Sequence, residues 1–328
     1  MMNDDDDDKA RLCERIVRGE LTSAQLIEHG LDPAELAGWL ADQLAESRAL
    51  AARCDSLATN LSALIDATDG AVITIPTGTA RGARWIIDRS YPTQFARGDW
   101  DLAFQQVLAA LLREGDVFFD VGANAGFHML VGAALVGATG RVIGFEPLDT
   151  NCRMIDRVLE LNPRARCEVA RCAVGDKLGE VTFFEHPLNA LGSTVPARKS
   201  RGGKEYRVPA TTLDAFVAER AASLGRPSAI KIDVEGAEAL VIAGAQAVLA
   251  HDAPPALVIE LHEPKAGAAV IRRVTEHGFA HAWLDGEAAT LDELSTMRVG
   301  HIVAVARRDP RLVALRDGIG ASWRWRDA

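Results

Sequence analysis

The run FFDVGANAGFH, residues 118–128, carries the strongest structural signal in this 328-residue chain. An apolar stretch ends on an acid, turns through two glycines and continues into the apolar, helix-like run MLVGAALVGA. This pattern predicts a strand, a tight turn and a helix. Such an arrangement lets a ligand approach bare backbone at the N-terminus of the helix.

Strands and helices alternate on the C-terminal side of this run. The strand-like segments are VFFDVG, RVIGFEP, CEVARCAV, SAIKIDV and ALVIEL, and helical patterns separate them. Two later runs, FAHAWLD and HIVAVARR, are expected to close the sheet as an antiparallel pair. The alternation predicts an α/β fold with a doubly wound parallel sheet, whose ligand crevice lies beyond the carboxyl ends of the strands.

The residues before this sheet predict a helical extension. Residues 9–66 have a helical pattern, and part of it repeats at the four-and-three spacing of a coiled coil: Leu50, Cys54, Leu57, Leu61 and Leu64. The repeat indicates either a helix packed on its own domain or a seam between subunits, and we expect a homodimer. The predicted organisation is a helical extension over residues 1–70, a hairpin and linker over 71–100, and the main domain over 101–328.

Charge and composition exclude several classes of function. The net charge of −10 disfavours nucleic acid or an anionic membrane as the main partner, because both require a dense positive face. Residues 1–9 hold the run Asp4–Asp8, which is either a protease-site remnant or a solvated acidic tail, and they do not enter the fold prediction. No membrane span or signal peptide is expected. The five scattered cysteines indicate reduced thiols and a cytoplasmic protein.

The glycine turn discriminates between two classes of cofactor. Asn124 stands where the dinucleotide pattern G-x-G-x-x-G needs a glycine to approach the pyrophosphate. Asp120 at the strand tip would repel a pyrophosphate, but it suits a cofactor that carries an ammonium and a sulfonium. Glu146, at the end of the next strand, is placed to accept both hydroxyls of an adenosine ribose. These residues indicate S-adenosyl-methionine.

Two other classes of function compete with a reaction that uses this cofactor. A nicotinamide-dependent oxidoreductase is disfavoured because the dinucleotide glycine pattern is missing. A non-catalytic binding module, recruited through the long helix, is disfavoured because four strands end on acidic residues along one crevice. Burying so many carboxylates without a ligand or partner would be costly.

The motifs taken together resemble one known family. DVGANAGFH, GFEP, AVGDKLGE, TTLDAF, IKIDVEGAE and IEL, in this order over residues 99–261, resemble the FkbM family of S-adenosyl-methionine-dependent methyltransferases. The resemblance implies a Rossmann-like class I methyltransferase fold with a mostly parallel seven-stranded sheet in the order 3-2-1-4-5-7-6. It also implies O-methylation of a hydroxyl on a sugar, glycan or secondary metabolite, with a peptide side-chain amide as the alternative acceptor. The family's Gly-aromatic-Glu segment is replaced here by the segment Gly98–Asp101.

The same resemblance implies which residues hold the cofactor. Those assigned to its methionine part are Asp120, Gly122, Asn124, Gly126, Phe127 and His128. Glu146 is assigned to the ribose, and the segment from Ala173 to Asp176 to the adenine. Asp233 and Glu235 are expected where the activated methyl group meets the acceptor.

Two neighbouring strands are expected to bring the catalytic residues together: Asp233, Glu235, Glu260 and His262. We expect Glu260 to contact the acceptor, together with Ser193 from a glycine-rich insertion. Two roles are open to this group. His262 takes the acceptor proton as a general base, or the carboxylates and the imidazole hold a magnesium or manganese ion. The resemblance favours the version without a metal.

Overall fold

A computed structural model describes residues 69–185, 192–196, 203–262, 264–284, 300–319 and 323–326. The predicted helical extension and its leucine repeat lie outside these residues, so the homodimer stays a prediction. Among the helices in the described part of the chain, none is long and apolar enough to cross a membrane.

The described strands, in chain order, form three sheets. They are β1 (Val72–Thr74), β2 (Arg84–Ile86), β3 (Val117–Val121), β4 (Arg141–Phe145), β5 (Cys167–Ala170), β6 (Ala173–Val174), β7 (Gly179–Glu185), β8 (Gly192–Ser193), β9 (Glu205–Thr211), β10 (Ala229–Ile232), β11 (Ala256–Leu261), β12 (Phe279–Leu284), β13 (Gly300–Ala306) and β14 (Trp323–Arg326). The predicted hairpin is confirmed, because β1 and β2 pair antiparallel.

The main sheet has the strand order β14-β12-β13-β11-β10-β3-β4-β5. The neighbours from β5 to β11 pair parallel, and β13 pairs antiparallel with both β11 and β12. This is the predicted order 3-2-1-4-5-7-6, so the fold prediction is confirmed. One strand was not anticipated: β14 pairs with the outer edge of β12 and makes the sheet eight-stranded.

Helices cover both faces of the main sheet. They are α1 (Thr93–Arg97), α2 (Leu102–Leu111), α3 (Phe127–Val136), α4 (Asp149–Leu161), α5 (Leu213–Leu224), α6 (Glu238–Ala243), α7 (Gln246–Ala250), α8 (Pro264–Glu276) and α9 (Arg311–Gly318). Their apolar side chains form two large buried clusters, one containing residues of α2, α3, α4 and α9 and the other residues of α5 to α8. Strand residues belong to both clusters, as expected for a parallel sheet buried on both faces.

A second sheet occupies a region that the sequence had indicated as one long strand and a loop. The segment CEVARCAV divides into β5, in the main sheet, and β6, which pairs with β9. Strands β7 and β8 complete a four-stranded sheet in the order β6-β9-β7-β8. Residues 192–196 of the predicted flexible insertion therefore include a short strand, which pairs with the end of β7.

The turn after β3 is packed directly on the turn after β10. Gly122 has a φ of +82°, and a Cβ atom at this position would lie 1.8 Å from the carbonyl oxygen of Asp233. Only glycine meets both the conformation and the lack of space. The close approach places the turn that follows β3 beside the acidic residues that follow β10.

Candidate active site

A cavity of about 280 Å³ lies at the carboxyl ends of the central parallel strands. The expected site residues that line it are Gly122, Asn124, Phe127, His128, Glu146, Ala173, Asp233, Glu235 and Glu260. Five other expected residues are not part of its lining: Asp120, Gly126, Asp176, Ser193 and His262. Most of the residues assigned to cofactor and acceptor therefore face one space, and the others lie around it.

Aromatic residues from the segment before α2 form a wall of this cavity. Tyr91, Phe95 and Trp100 line it, although none of them was an expected site residue. Phe95 stacks on Phe127 with ring centroids 5.1 Å apart, and Trp85 of β2 packs edge-on against both rings. The hairpin and α1 are thus held on α3 by aromatic packing. Aromatic residues at spacings of four and five before the glycine turn were the signal available in the sequence.

Glu146 fixes the glycine turn and presents its carboxylate to the cavity. Its Oε2 accepts a hydrogen bond from the backbone N–H of Asn124 at 2.9 Å, and its Oε1 accepts one from Leu148 at 2.9 Å. Burial raises the pKa of Glu146 to about 7, although these hydrogen bonds lower it. The Asn151 side chain donates a third hydrogen bond to this carboxylate, which leaves it one of its four lone-pair positions for a ligand hydroxyl.

Backbone conformation shapes the rest of the glycine turn. Asn124 has a φ of +52°, and its side-chain oxygen accepts a hydrogen bond from Ala125 N–H at 2.8 Å. Gly126, with a φ of +87°, is the N-cap residue of α3. Gly126 does not line the cavity, and its role is the backbone conformation that begins α3. Asn124 both shapes the turn and lines the cavity.

Asp120 lies beneath the cavity and does not line it. Its side chain is fully buried, and Lys231 Nζ lies 3.3 Å from both Asp120 Oδ1 and Asp233 Oδ2. Burial raises the pKa of Asp120 to about 6, against the opposing effect of the Lys231 charge. Lys231 lines the cavity in its place. This lysine was not among the expected site residues, although Lys231 and Asp233 stand two apart at a strand end and so share a face.

His262 is the meeting point of the acidic residues that follow β10 and β11. Its Nδ1 lies 2.9 Å from Oε1 of the fully buried Glu238. Its Nε2 lies 3.8 Å from Asp233 Oδ1, 3.6 Å from Glu235 Oε2 and 3.5 Å from Glu260 Oε1. The four residues that the strand ends were expected to bring together are therefore adjacent.

The charge of His262 differs from what a general base requires. Burial alone would lower its pKa, but the hydrogen bond to Glu238 and the charges of Asp233 and Glu235 raise it to about 9. At neutral pH the ring is therefore protonated and has no lone pair for a further proton. Burial and the charge of Asp233 raise the pKa of Glu260 to about 7, which makes this carboxyl a better-matched proton acceptor.

The same cluster has a geometry that a metal ion could use. One ligand atom from each of Asp233, Glu235 and His262 lies within 4.8 Å of the others. Carboxylates and imidazole are suitable ligands for manganese and, for the oxygens, magnesium. The metal-dependent alternative therefore has a geometric basis, which a chelator experiment can test.

Ser193 and Asp176 have positions different from those expected. Ser193 is buried, and its hydroxyl donates a hydrogen bond to the backbone carbonyl of Glu235 at 2.7 Å. It therefore supports the loop of Glu235, which has a φ of +53°, while its neighbours Gly192 and Thr194 line the cavity. Asp176 is exposed and does not line the cavity, whereas Ala173 does.

Comparisons with known proteins agree on one family. Residues 120–289 match the domain described as Methyltransferase FkbM domain. The chain is 29% identical to hexuronic acid methyltransferase AglP of Haloferax volcanii over 145 residues, which are 43% of this chain and 55% of that protein. It is 32% identical to 31-O-demethyl-FK506 methyltransferase FkbM of Streptomyces tacrolimicus over 164 residues, 41% of this chain and 61% of that protein. The chain thus spans little more than half the length of these relatives.

One solved structure with a similar trace is a SAM-dependent O-methyltransferase from Thermotoga maritima. The two chains are 15% identical, the match covers 67% of each, and the TM-score is 0.36.

Proposed function

The chain belongs to the FkbM methyltransferase family, and from this premise we propose that it transfers a methyl group from S-adenosyl-methionine to a hydroxyl of a sugar, glycan or secondary metabolite. The observation that carries the proposal is the cavity at the strand ends, which Glu146 lines together with Asp233 and Glu260. The names of the two relatives specify a hexuronic acid and an oxygen of a demethylated FK506 as their acceptors. The second name favours oxygen as the acceptor atom.

The chemistry of the lining fits this cofactor. Glu146 has a lone pair left for a ribose hydroxyl, and a diol that displaces the Asn151 side chain would gain a second one. The turn from Gly122 to Asn124 presents backbone beside it. The aromatic and apolar lining suits an adenine ring, and the surrounding carboxylates complement a positively charged sulfonium. When bound, S-adenosyl-methionine supplies a methyl group that its sulfonium has already activated.

The protein then has two tasks, which are to orient the acceptor hydroxyl and to remove its proton. Glu260 lines the cavity with a pKa of about 7, so at neutral pH a large fraction of this carboxyl is ready to accept a proton. His262, 3.5 Å away, is charged and stabilises the carboxylate form of Glu260. We assign the base to Glu260 and assign to His262 the task of holding the acidic residues in place.

A transfer assay with the full chain tests this function. Purified protein is incubated with methyl-labelled S-adenosyl-methionine and separate acceptors: hexuronic acids, neutral sugars, hydroxylated macrolides and peptides with side-chain amides. Mass spectrometry then locates the label. We expect it on an oxygen of a sugar or macrolide.

Two matched variants and a chelator treatment test which residues the transfer requires and whether it requires a metal ion. Asp233→Asn should abolish transfer, whereas Glu160→Gln, an exposed acid on α4, should not change it. Label found on a peptide nitrogen would contradict the proposed acceptor. Loss of turnover with a chelator, restored by added magnesium or manganese, would contradict the metal-free version.

A further inference from the structure

Among the described residues, several buried polar atoms lack a hydrogen-bond partner, including both Asp120 oxygens, which face Lys231, and two of these atoms face each other beside the cavity. These two are Oδ2 of Asp101 and Nε2 of His128, and they lie 3.8 Å from each other. The side chains are 18% and 6% exposed. Leaving a buried acceptor unpaired is unfavourable. When the neutral His128 ring carries its proton on Nδ1, both atoms are acceptors, and a donor is then missing between them.

The charges around the pair indicate a cationic donor. Burial, reinforced by the charge of Lys231, lowers the pKa of His128 well below its usual value, so the ring is neutral and does not compensate Asp101. The ammonium of Lys231 lies 3.3 Å from Asp120 and from Asp233, and it is engaged by these two carboxylates. Burial raises the pKa of Asp101 against the opposing charges of His301 and Lys231, and neither of these groups hydrogen-bonds its Oδ2.

The pair lies next to the part of the cavity that the glycine turn forms. His128 lines the cavity in the first turn of α3, two residues after Gly126. Asp101 precedes α2 and directly follows Trp100, which also lines the cavity. A ligand group that occupies the cavity between the glycine turn and Trp100 would contact these two side chains.

We propose that Asp101 and His128 bind the ammonium group of the amino-acid part of S-adenosyl-methionine. An ammonium has three N–H donors, so it can donate to a carboxylate oxygen and to the lone pair of a neutral imidazole. One nitrogen can reach both atoms at about 2.9 Å, because the acceptors are only 3.8 Å apart. This inference rests on the proposed cofactor, and it gives Asp101 the part that the sequence had suggested for the now paired Asp120.

Binding titrations with two ligands test the proposal without any acceptor present. S-adenosyl-homocysteine carries the amino-acid part, and 5′-methylthioadenosine lacks it. Asp101→Asn is the main variant because asparagine tolerates the left-handed backbone of this position, φ 55°. His128→Phe keeps a ring against Phe104 and Phe127. The matched control is Asp99→Asn, in the same loop and paired with Arg97 at the surface.

We expect Asp101→Asn and His128→Phe to weaken S-adenosyl-homocysteine by about 10- to 100-fold, the range for a hydrogen bond to a charged group. Binding of 5′-methylthioadenosine should not change, and Asp99→Asn should bind both ligands as the wild type does. The direction of the change in affinity identifies the ligand group. Tighter binding of S-adenosyl-homocysteine by Asp101→Asn would place the ligand carboxylate there and overturn the proposal.

Two other results would also overturn it. Unchanged affinity for S-adenosyl-homocysteine in both variants would place the ammonium elsewhere, and an equal loss for both ligands would indicate a structural role for the pair. If the wild-type protein binds neither ligand, the proposed function itself fails. That outcome is distinct, because the other results all require a wild-type protein that binds.

Discussion

The ammonium of Lys231 lies 3.3 Å from Asp120 Oδ1, and the two side chains are 2% and 0% exposed. The parallel register of β3 and β10 makes these residues direct neighbours. Both side chains are buried, so removal of Lys231 would leave the Asp120 carboxylate without a cation, whereas Lys231 would keep Asp233 at 3.3 Å if Asp120 were removed. The pair joins the two central strands beneath the cavity.

Lys231→Met should therefore lower the free energy of unfolding by about 3–5 kcal/mol. The double variant Lys231→Met, Asp120→Asn should regain a large part of that loss, because no buried charge is left alone. Urea denaturation measures both, with the exposed Lys177→Met as control. Additive losses in the double variant would show that the two side chains are not coupled.

Gly122→Ala should disrupt the contact between the two turns. The new Cβ would meet the carbonyl oxygen of Asp233 at 1.8 Å, in a backbone conformation that alanine disfavours. We expect a loss of about 1–3 kcal/mol in stability, typical of overpacking, and weaker cofactor binding. Gly175→Ala is the control, because open space surrounds that position. Equal thermal unfolding of the two variants would refute the close approach.

Glu146→Ala should weaken S-adenosyl-homocysteine by about 1.5–3 kcal/mol, the range for hydrogen bonds to a charged group. Calorimetry measures the affinity, and Glu160→Ala on the exposed face of α4 is the control. Because Glu146 also accepts two backbone hydrogen bonds, an unfolding curve must accompany the titration. A folded variant with wild-type affinity would place the ribose elsewhere.

The rate of methyl transfer should fall as the pH drops through about 7. Glu260 accepts a proton only in its ionised form, and its pKa is raised to about 7, so the active form is lost below that pH. Glu260→Gln should remove this pH dependence and lower kcat by about 10²–10⁴-fold. If His262 were the base, the rate would instead continue to rise until about pH 9, where the ring loses its proton.

The leucine repeat from Leu50 to Leu64 should hold a homodimer. Each leucine buried in such a seam contributes about 1.5–3 kcal/mol. Light scattering at micromolar concentration should give twice the mass of the 35.2 kDa chain, and Leu57→Glu with Leu61→Glu should give the monomer. A wild-type monomer, or an unchanged mass in the variant, would contradict the seam.

Local sequence patterns were sufficient for the architecture and for much of the site. The alternation of apolar strands and helices predicted a parallel sheet, because parallel neighbours need a helical crossover between them, and the family resemblance implied its strand order. The glycine turn and Glu146 were recognisable because backbone conformation and strand ends follow from residues close in the chain. Strand β14 and the small second sheet were not recognisable, since short edge strands depend on partners far away in sequence.

Tertiary structure alone decided which charges face the ligand. Asp120 stands at a strand tip in the sequence, yet the register of β3 and β10 places Lys231 beside it and hides it from the cavity. The charge of His262 depends on Glu238, 24 residues away, which the fold buries against Nδ1. Asp101 and His128 likewise become neighbours only when α2 and α3 pack together. Burial and long-range pairing set these properties, and neither is encoded in the local spacing of residues.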